Sequence, residues 1–141
     1  MKAFAIALVM LCGCLELAPP KSGYRVVPPP PAHTMSMAFV LGAWESNFGE
    51  VTIDRNPNLA GGEVIGSWTY FNPTLGREVK GRFRGIVRGN VLRLTWTEGA
   101  SSGHGFLEFS PAGDSYAGQW WTSGRSKTGT WRGWRGSRGE V

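Results

Sequence analysis

The chain has 141 residues, 15 Lys and Arg against 10 Asp and Glu for a formal charge of +5, and 41% hydrophobic residues. That length suits one modest domain, and at so small a net charge local clusters matter more than the total. With only Cys12, Cys14, His33 and His104 available, the composition excludes paired Cys/His zinc clusters and a Cys-x-x-Cys redox motif.

The first 13 residues, "MKAFAIALVMLCG", carry a basic residue at Lys2, an apolar stretch from Ala3 to Leu11 and then small residues. This is the layout of a secretory signal peptide, and the apolar stretch is too short to span a bilayer. A Cys12–Cys14 disulfide would close a strained ring. The run Leu11-Cys12-Gly13-Cys14 instead resembles a bacterial lipobox. That resemblance implies cleavage after Gly13 and lipid attachment, including palmitate, at Cys14, with Cys12 standing where Ala or Ser is commoner. The residues after Cys14 do not form an Asp-type retention signal. By resemblance to Gram-negative lipoproteins, the expected location is therefore the outer membrane, facing the periplasm or the cell surface. Removing the leader leaves 14 basic against 10 acidic residues and a folded part without a disulfide, so its core must suffice alone.

Residues 14–38 read as a lipid-anchored tether centred on "VVPPPPAH". Consecutive prolines lack backbone donors and favour extended polyproline geometry, so the tether is read as a passive spacer.

Residues 39–136 change to alternating apolar and polar residues broken by turn signals, with 137–141 as a short tail. In "GAWESNFGEVTID" the alternation changes parity, which a bulge at Gly49 would absorb. "EVIGSWTYF" points Val64, Gly66, Trp68 and Tyr70 inward, and a turn at Asn72–Leu75 sets Trp68 opposite Val79. In "EVKGRFRGIVRGNVLRLTW" the Gly89-Asn90 turn sets Val87 opposite Leu92, Gly85 opposite Leu94 and Phe83 opposite Trp96. The apolar faces of both strands then agree, as register requires. "GFLEFS" and "SYAGQWW" pair Phe109 with Tyr116, and "TGTWRGWR" is the last strand, with Trp131, Gly133 and Arg135 inward. The expected fold is all-β: one small antiparallel up-and-down barrel of seven or eight strands, which removes exposed edges by closure.

A Gly-x-aromatic unit recurs as Gly42-Ala43-Trp44, Gly66-Ser67-Trp68, Gly81-Arg82-Phe83, Gly118-Gln119-Trp120 and Gly129-Thr130-Trp131. Both residues of a unit face the same way, and the glycine leaves room for a neighbouring ring. Gly42-Ala43-Trp44 followed by arginines in the last strand resembles the calycin group: lipocalins, fatty-acid-binding proteins and avidins. That resemblance implies a closing contact in which Arg135 packs over Trp44. It does not extend to biotin binding, because Trp68 and Tyr70 stand where small hydroxyl residues belong. Large inward residues favour a filled interior over an empty cup.

For sites, His104 is read in a loop with Ser101 and Ser102, without a partner acid, and Glu50, Glu63 and Glu108 form no acid/base pair. No catalytic residue, metal or cofactor is therefore expected. Two surface features stand out. One is a basic strip of Arg77, Lys80, Arg82, Arg84, Arg88 and Arg93. It is either a solvated, aggregation-resistant strand face or a dock for acidic lipid, lipopolysaccharide or protein; no nucleic acid partner is expected in the envelope. The other is Trp121, Arg125, Lys127, Arg132 and Trp134, whose outward tryptophans and basic groups suggest an interaction surface. The leading expectation is a non-catalytic envelope lipoprotein, held on the membrane by its N-terminal lipid, whose barrel docks a protein or envelope component. The alternatives are a calycin-type carrier of a small apolar or aromatic ligand, or an inhibitor of a periplasmic hydrolase, since some lysozyme inhibitors are also small β-barrel lipoproteins.

Overall fold

Alternating strands joined by glycine-bearing turns close on themselves in the computed structural model, which describes residues 27–58 and 61–135. Eight strands follow one another around a closed antiparallel barrel. They are β1 (Gly42–Ser46), β2 (Gly49–Arg55), β3 (Glu63–Asn72), β4 (Arg77–Arg88), β5 (Val91–Glu98), β6 (Ser101–Phe109), β7 (Ser115–Thr122) and β8 (Thr128–Trp134). The signal peptide, Cys14 and the tail at 137–141 lie outside the described residues.

The parity change near the start is a hairpin and not a bulge. Asn47 and Phe48 form a two-residue turn between Ser46 and Gly49, and this settles the count at eight strands. Gly49 has φ +84°, and an added Cβ there would strike the Thr69 carbonyl oxygen, so both backbone shape and space require glycine. The side chain of Asn47 then extends the short β1–β8 seam. Its Oδ1 accepts from the Arg132 N–H at 2.8 Å and its Nδ2 donates to the Thr130 carbonyl at 3.0 Å.

The Gly89-Asn90 turn gives the expected register, with Val87 opposite Leu92, Gly85 opposite Leu94 and Phe83 opposite Trp96. Positive φ falls on Gly89 at +59°, the first turn position, as in a type II′ hairpin. Phe109 also pairs with Tyr116. Trp68, however, faces Gly81, and Val79 faces Tyr70. The turn lies one residue later than expected, at residues 73–76 with Gly76 at φ +69°, which slides the register by two without exchanging faces.

That register explains the Gly-x-aromatic repeat. Gly66 faces Phe83 while Trp68 faces Gly81, and an added Cβ on either glycine would enter the partner's ring. The arrangement recurs where Gly118 faces Trp131 and Trp120 faces Gly129. Each pair of units seats two large rings side by side, which two facing rings at both positions could not do.

The barrel has two unlike ends. One is plugged: the short 3-10 helix Met37–Phe39 leads into Val40, and Trp44, Phe109 and Tyr116 contact one another at centroid distances of 5.1–5.5 Å. Val40, Ile53, Leu92 and Leu107 are wholly buried around them. The Pro-rich segment is not a free spacer over its described part. Asn90 is buried; its Oδ1 accepts from the Ala32 N–H at 2.8 Å, and its Nδ2 donates to the Phe109 carbonyl at 3.2 Å. His33 Nε2 reaches the same carbonyl at 3.2 Å, so the chain enters the barrel from a fixed position on its wall.

Candidate functional site

The opposite end is open. The turns β1–β2, β3–β4, β5–β6 and β7–β8 surround it, and inward positions near those turns carry aromatic side chains. A cavity of about 210 Å³ opens there, lined by six aromatic residues: Phe48, Trp68, Tyr70, Trp96, Trp120 and Trp131. Glu98, Ser101, Thr122 and Lys127 complete the lining. The interior is thus packed through most of its length, as its large inward residues imply, with a recess at this end.

The rings brace one another in a circuit. Phe48 meets Trp120, Trp120 meets Trp96, Trp96 meets Trp68, Trp68 meets Trp131, and Trp131 returns to Phe48, with centroids 5.2–6.4 Å apart and planes 69–89° apart. Edge-to-face contacts of this kind place the positive edge of one ring against the negative face of the next. Tyr70 joins the circuit through Phe48 at 6.2 Å. Phe48 projects into the cup only because the β1–β2 turn carries it there. No sequence motif announces that contact.

One carboxylate is built into this wall. Glu98, half-buried at the end of β5, accepts from Trp68 Nε1 at 3.0 Å through Oε1 and from the Tyr70 hydroxyl at 3.3 Å through Oε2. Burial first, and then the neighbouring carboxylate charge, raise the Tyr70 phenol pKa, so Tyr70 remains a donor. Sequence reasoning missed Glu98, because a glutamate in a solvent-bound hairpin turn looks like any other surface carboxylate. Inward parity from Leu94 and Trp96 was the signal that could have found it. Trp96 Nε1 donates to the His104 carbonyl at 3.1 Å, whereas Trp120 Nε1 and Trp131 Nε1 are buried without a hydrogen-bond partner among the described residues.

Of the residues singled out from sequence, Arg135 and Trp44 are brought together. The Arg135 guanidinium carbon lies 3.8 Å from the Trp44 ring centroid, at the plugged end. Arg135 stands just past β8 and donates to the carbonyls of Ala43, Phe39 and Leu41 at 2.8–2.9 Å.

The second group is not brought together. Trp121 lies on the outer face, as its parity requires, yet it is only 5% exposed and clusters with Val91 and Phe106. Val27 and Pro28 line a groove beside it, so the described start of the chain borders the face an outside partner was expected to use. Trp134 is 47% exposed. Trp121 pairs with Thr128, and Trp134 is six residues further along β8, or about 20 Å. Arg125 and Lys127 are exposed in the β7–β8 turn, where Arg125 adopts φ 59°, and Arg132 is exposed midway along β8.

The basic strip is shorter than expected. Lys80, Arg82, Arg84 and Arg88 face outward along β4 and Arg93 stands on β5 opposite Ile86, all of them exposed, whereas Arg77 shares the inward parity of Val79 and is exposed at the rim of the open end. Arg84, Arg88 and Arg93 also border the groove of about 900 Å³ that Trp121, Val27 and Pro28 line. His104 is not in a loop: it lies on β6, between Thr95 and Trp121. Among the described residues, no group of three His, Cys, Asp or Glu side chains could hold a metal ion.

An Arg over the first-strand Trp, a plug at one end and an open cup at the other are compatible with a calycin-like barrel. No protein-family model matches the chain, and no curated protein or solved structure matches it.

Proposed function

We propose that the protein is a non-catalytic, calycin-type binding protein that holds a small apolar or aromatic ligand in the cup at the open end of its barrel. The observation that carries this reading is the cavity of about 210 Å³ walled by six aromatic residues. Binding sites are concave, largely apolar and furnished with a few fixed polar groups. The cup has these features, with the Glu98 carboxylate as its fixed polar group. A space of this size suits a ligand of one ring, since a cavity of about 150 Å³ admits benzene. Four of the seven tryptophans line the cup, so intrinsic fluorescence is a direct reporter. Titration with indole and phenol should change the emission saturably, and Trp120→Ala should weaken the response at least tenfold. Emission unaffected by either compound would remove the basis for the reading.

The proposed setting is the cell envelope, with Cys14 lipidated and the barrel held near the outer membrane. Palmitate labelling of the wild type and its loss in Cys14→Ser test that part.

A second reading, docking to an acidic envelope component, is supported by the groove that Arg84, Arg88, Arg93 and Arg125 border. Charge reversal at Arg84 and Arg88 should then release the protein from anionic vesicles while leaving indole binding unchanged.

A further inference from the structure

Glu98 gives the cup a sign. An aromatic lining alone would accept neutral rings, and aromatic rings also attract positive charge through the ring quadrupole. The carboxylate adds a full negative charge at the same place. It is held by one hydrogen bond to each oxygen, from Trp68 at 3.0 Å and Tyr70 at 3.3 Å. An ionised carboxylate has about four acceptor positions, so two donors leave capacity for a ligand. Both donors are themselves lining residues, so the rings that form the wall also fix the charge in it.

The one cationic group in the lining, Lys127, differs in kind. Its backbone is pinned to Thr122, through Thr122 N–H to the Lys127 carbonyl at 3.0 Å and Lys127 N–H to Thr122 Oγ1 at 3.1 Å. Its side chain, however, is exposed on the β7–β8 turn, where solvent screens its charge. Glu98 is half-buried among rings and screened less.

We propose that the cup is a cation-selective site, in which Trp68, Tyr70, Trp96 and Trp120 surround a small organic ammonium group and Glu98 neutralises it. This inference rests on the reading of the cup as a ligand site and names the class of ligand it takes: a methylated or primary amine of a few heavy atoms. The occupant needs no covalent chemistry and leaves unchanged.

The test compares two probes of one shape. Choline and its uncharged tert-butyl isostere should be titrated into the full chain by calorimetry, with indole as the neutral aromatic control. Choline should bind at least tenfold more tightly than the isostere, and tenfold corresponds to about 1.4 kcal/mol. Glu98→Gln, whose amide oxygen can still accept from Trp68, should reduce choline affinity about tenfold and bring it close to that of the isostere. Lys127→Ala should strengthen choline binding. Equal affinity for choline and the isostere, or choline binding unchanged in Glu98→Gln, overturns the charge preference while leaving the cup as a site for neutral ligands. If none of the three compounds binds, the reading of the cup itself fails and the charge preference falls with it. The wild-type pair of probes decides the matter even where a variant does not fold.

Discussion

Arg135 lies 3.8 Å over Trp44 and closes the barrel by bonding across its own seam. The guanidinium donates to the carbonyls of Ala43, Phe39 and Leu41, tying the end of the last strand to the approach of the first. A planar fork can reach three carbonyls while stacking on a ring, and an ammonium cannot. Arg135→Ala should therefore destabilise the fold by about 2 kcal/mol, and Arg135→Lys should recover less than half of that. Urea unfolding midpoints at constant m-value provide the measurement.

The reciprocal glycine and ring pairs make a second case. Gly81 leaves the space that the Trp68 indole fills. Gly81→Val should cost about 1–3 kcal/mol by overpacking, and it should also displace Trp68 from Glu98. Thermal unfolding reads the first effect. Loss of the indole response in ligand titration reads the second.

Trp121 and Trp134 should part company on substitution. Trp121 is packed against Val91 and Phe106, so Trp121→Ala should cost about 3 kcal/mol or more. Trp134 is half exposed, and Trp134→Ala should stay within about 0.5 kcal/mol. Similar losses from both, measured in one denaturant series, would contradict the burial described for Trp121.

Asn90 joins the Pro-rich segment to the barrel. Asn90→Ala leaves the Ala32 N–H without its acceptor and removes one donor from the Phe109 carbonyl. The expected cost is about 1–3 kcal/mol. Hydrogen exchange should show faster opening at Ala32 and His33 than in the wild type, with β3 and β4 unaffected.

Alkaline pH should test Tyr116. Burial raises its phenol pKa above the ordinary value of 10.0, and the neighbouring Ser46 and Trp131 side chains only partly oppose this. The folded phenol thus keeps its proton at pH values where the unfolded one has lost it, so stability falls as pH rises. The contribution is intact below about pH 10 and declines above it by about 1.4 kcal/mol per pH unit. Tyr116→Phe should flatten that decline. It should cost little at neutral pH, because the hydroxyl has no partner of good geometry.

The barrel was legible because its two strongest signals check each other. The Gly89-Asn90 turn and the apolar faces of β4 and β5 independently require one register. Where only one signal existed, the reading slipped. A four-residue turn can begin at Asn72 or Pro73 with the same inward face, and only Gly76 at positive φ decides. A change of parity at Gly49 fits either a bulge or a hairpin, and β1 was too short to choose between them. The cup was less legible. Its aromatics were visible, but alternation places a residue on the inside without saying whether it fills the space or only borders it. Trp121 shows the converse limit. Outward parity does not mean exposure when neighbouring side chains on the same face, here Val91 and Phe106, pack against the ring.

The seating of Ala32 and His33 on the barrel has a mechanical consequence. Their backbone N–H groups reach Asn90 Oδ1 at 2.8 and 3.4 Å, and the His33 ring reaches the Phe109 carbonyl at 3.2 Å. A pull on the chain ahead of residue 32 would therefore load the β4–β5 hairpin and the end of β6 first. β1, with its short seam to β8, would be spared until those bonds broke.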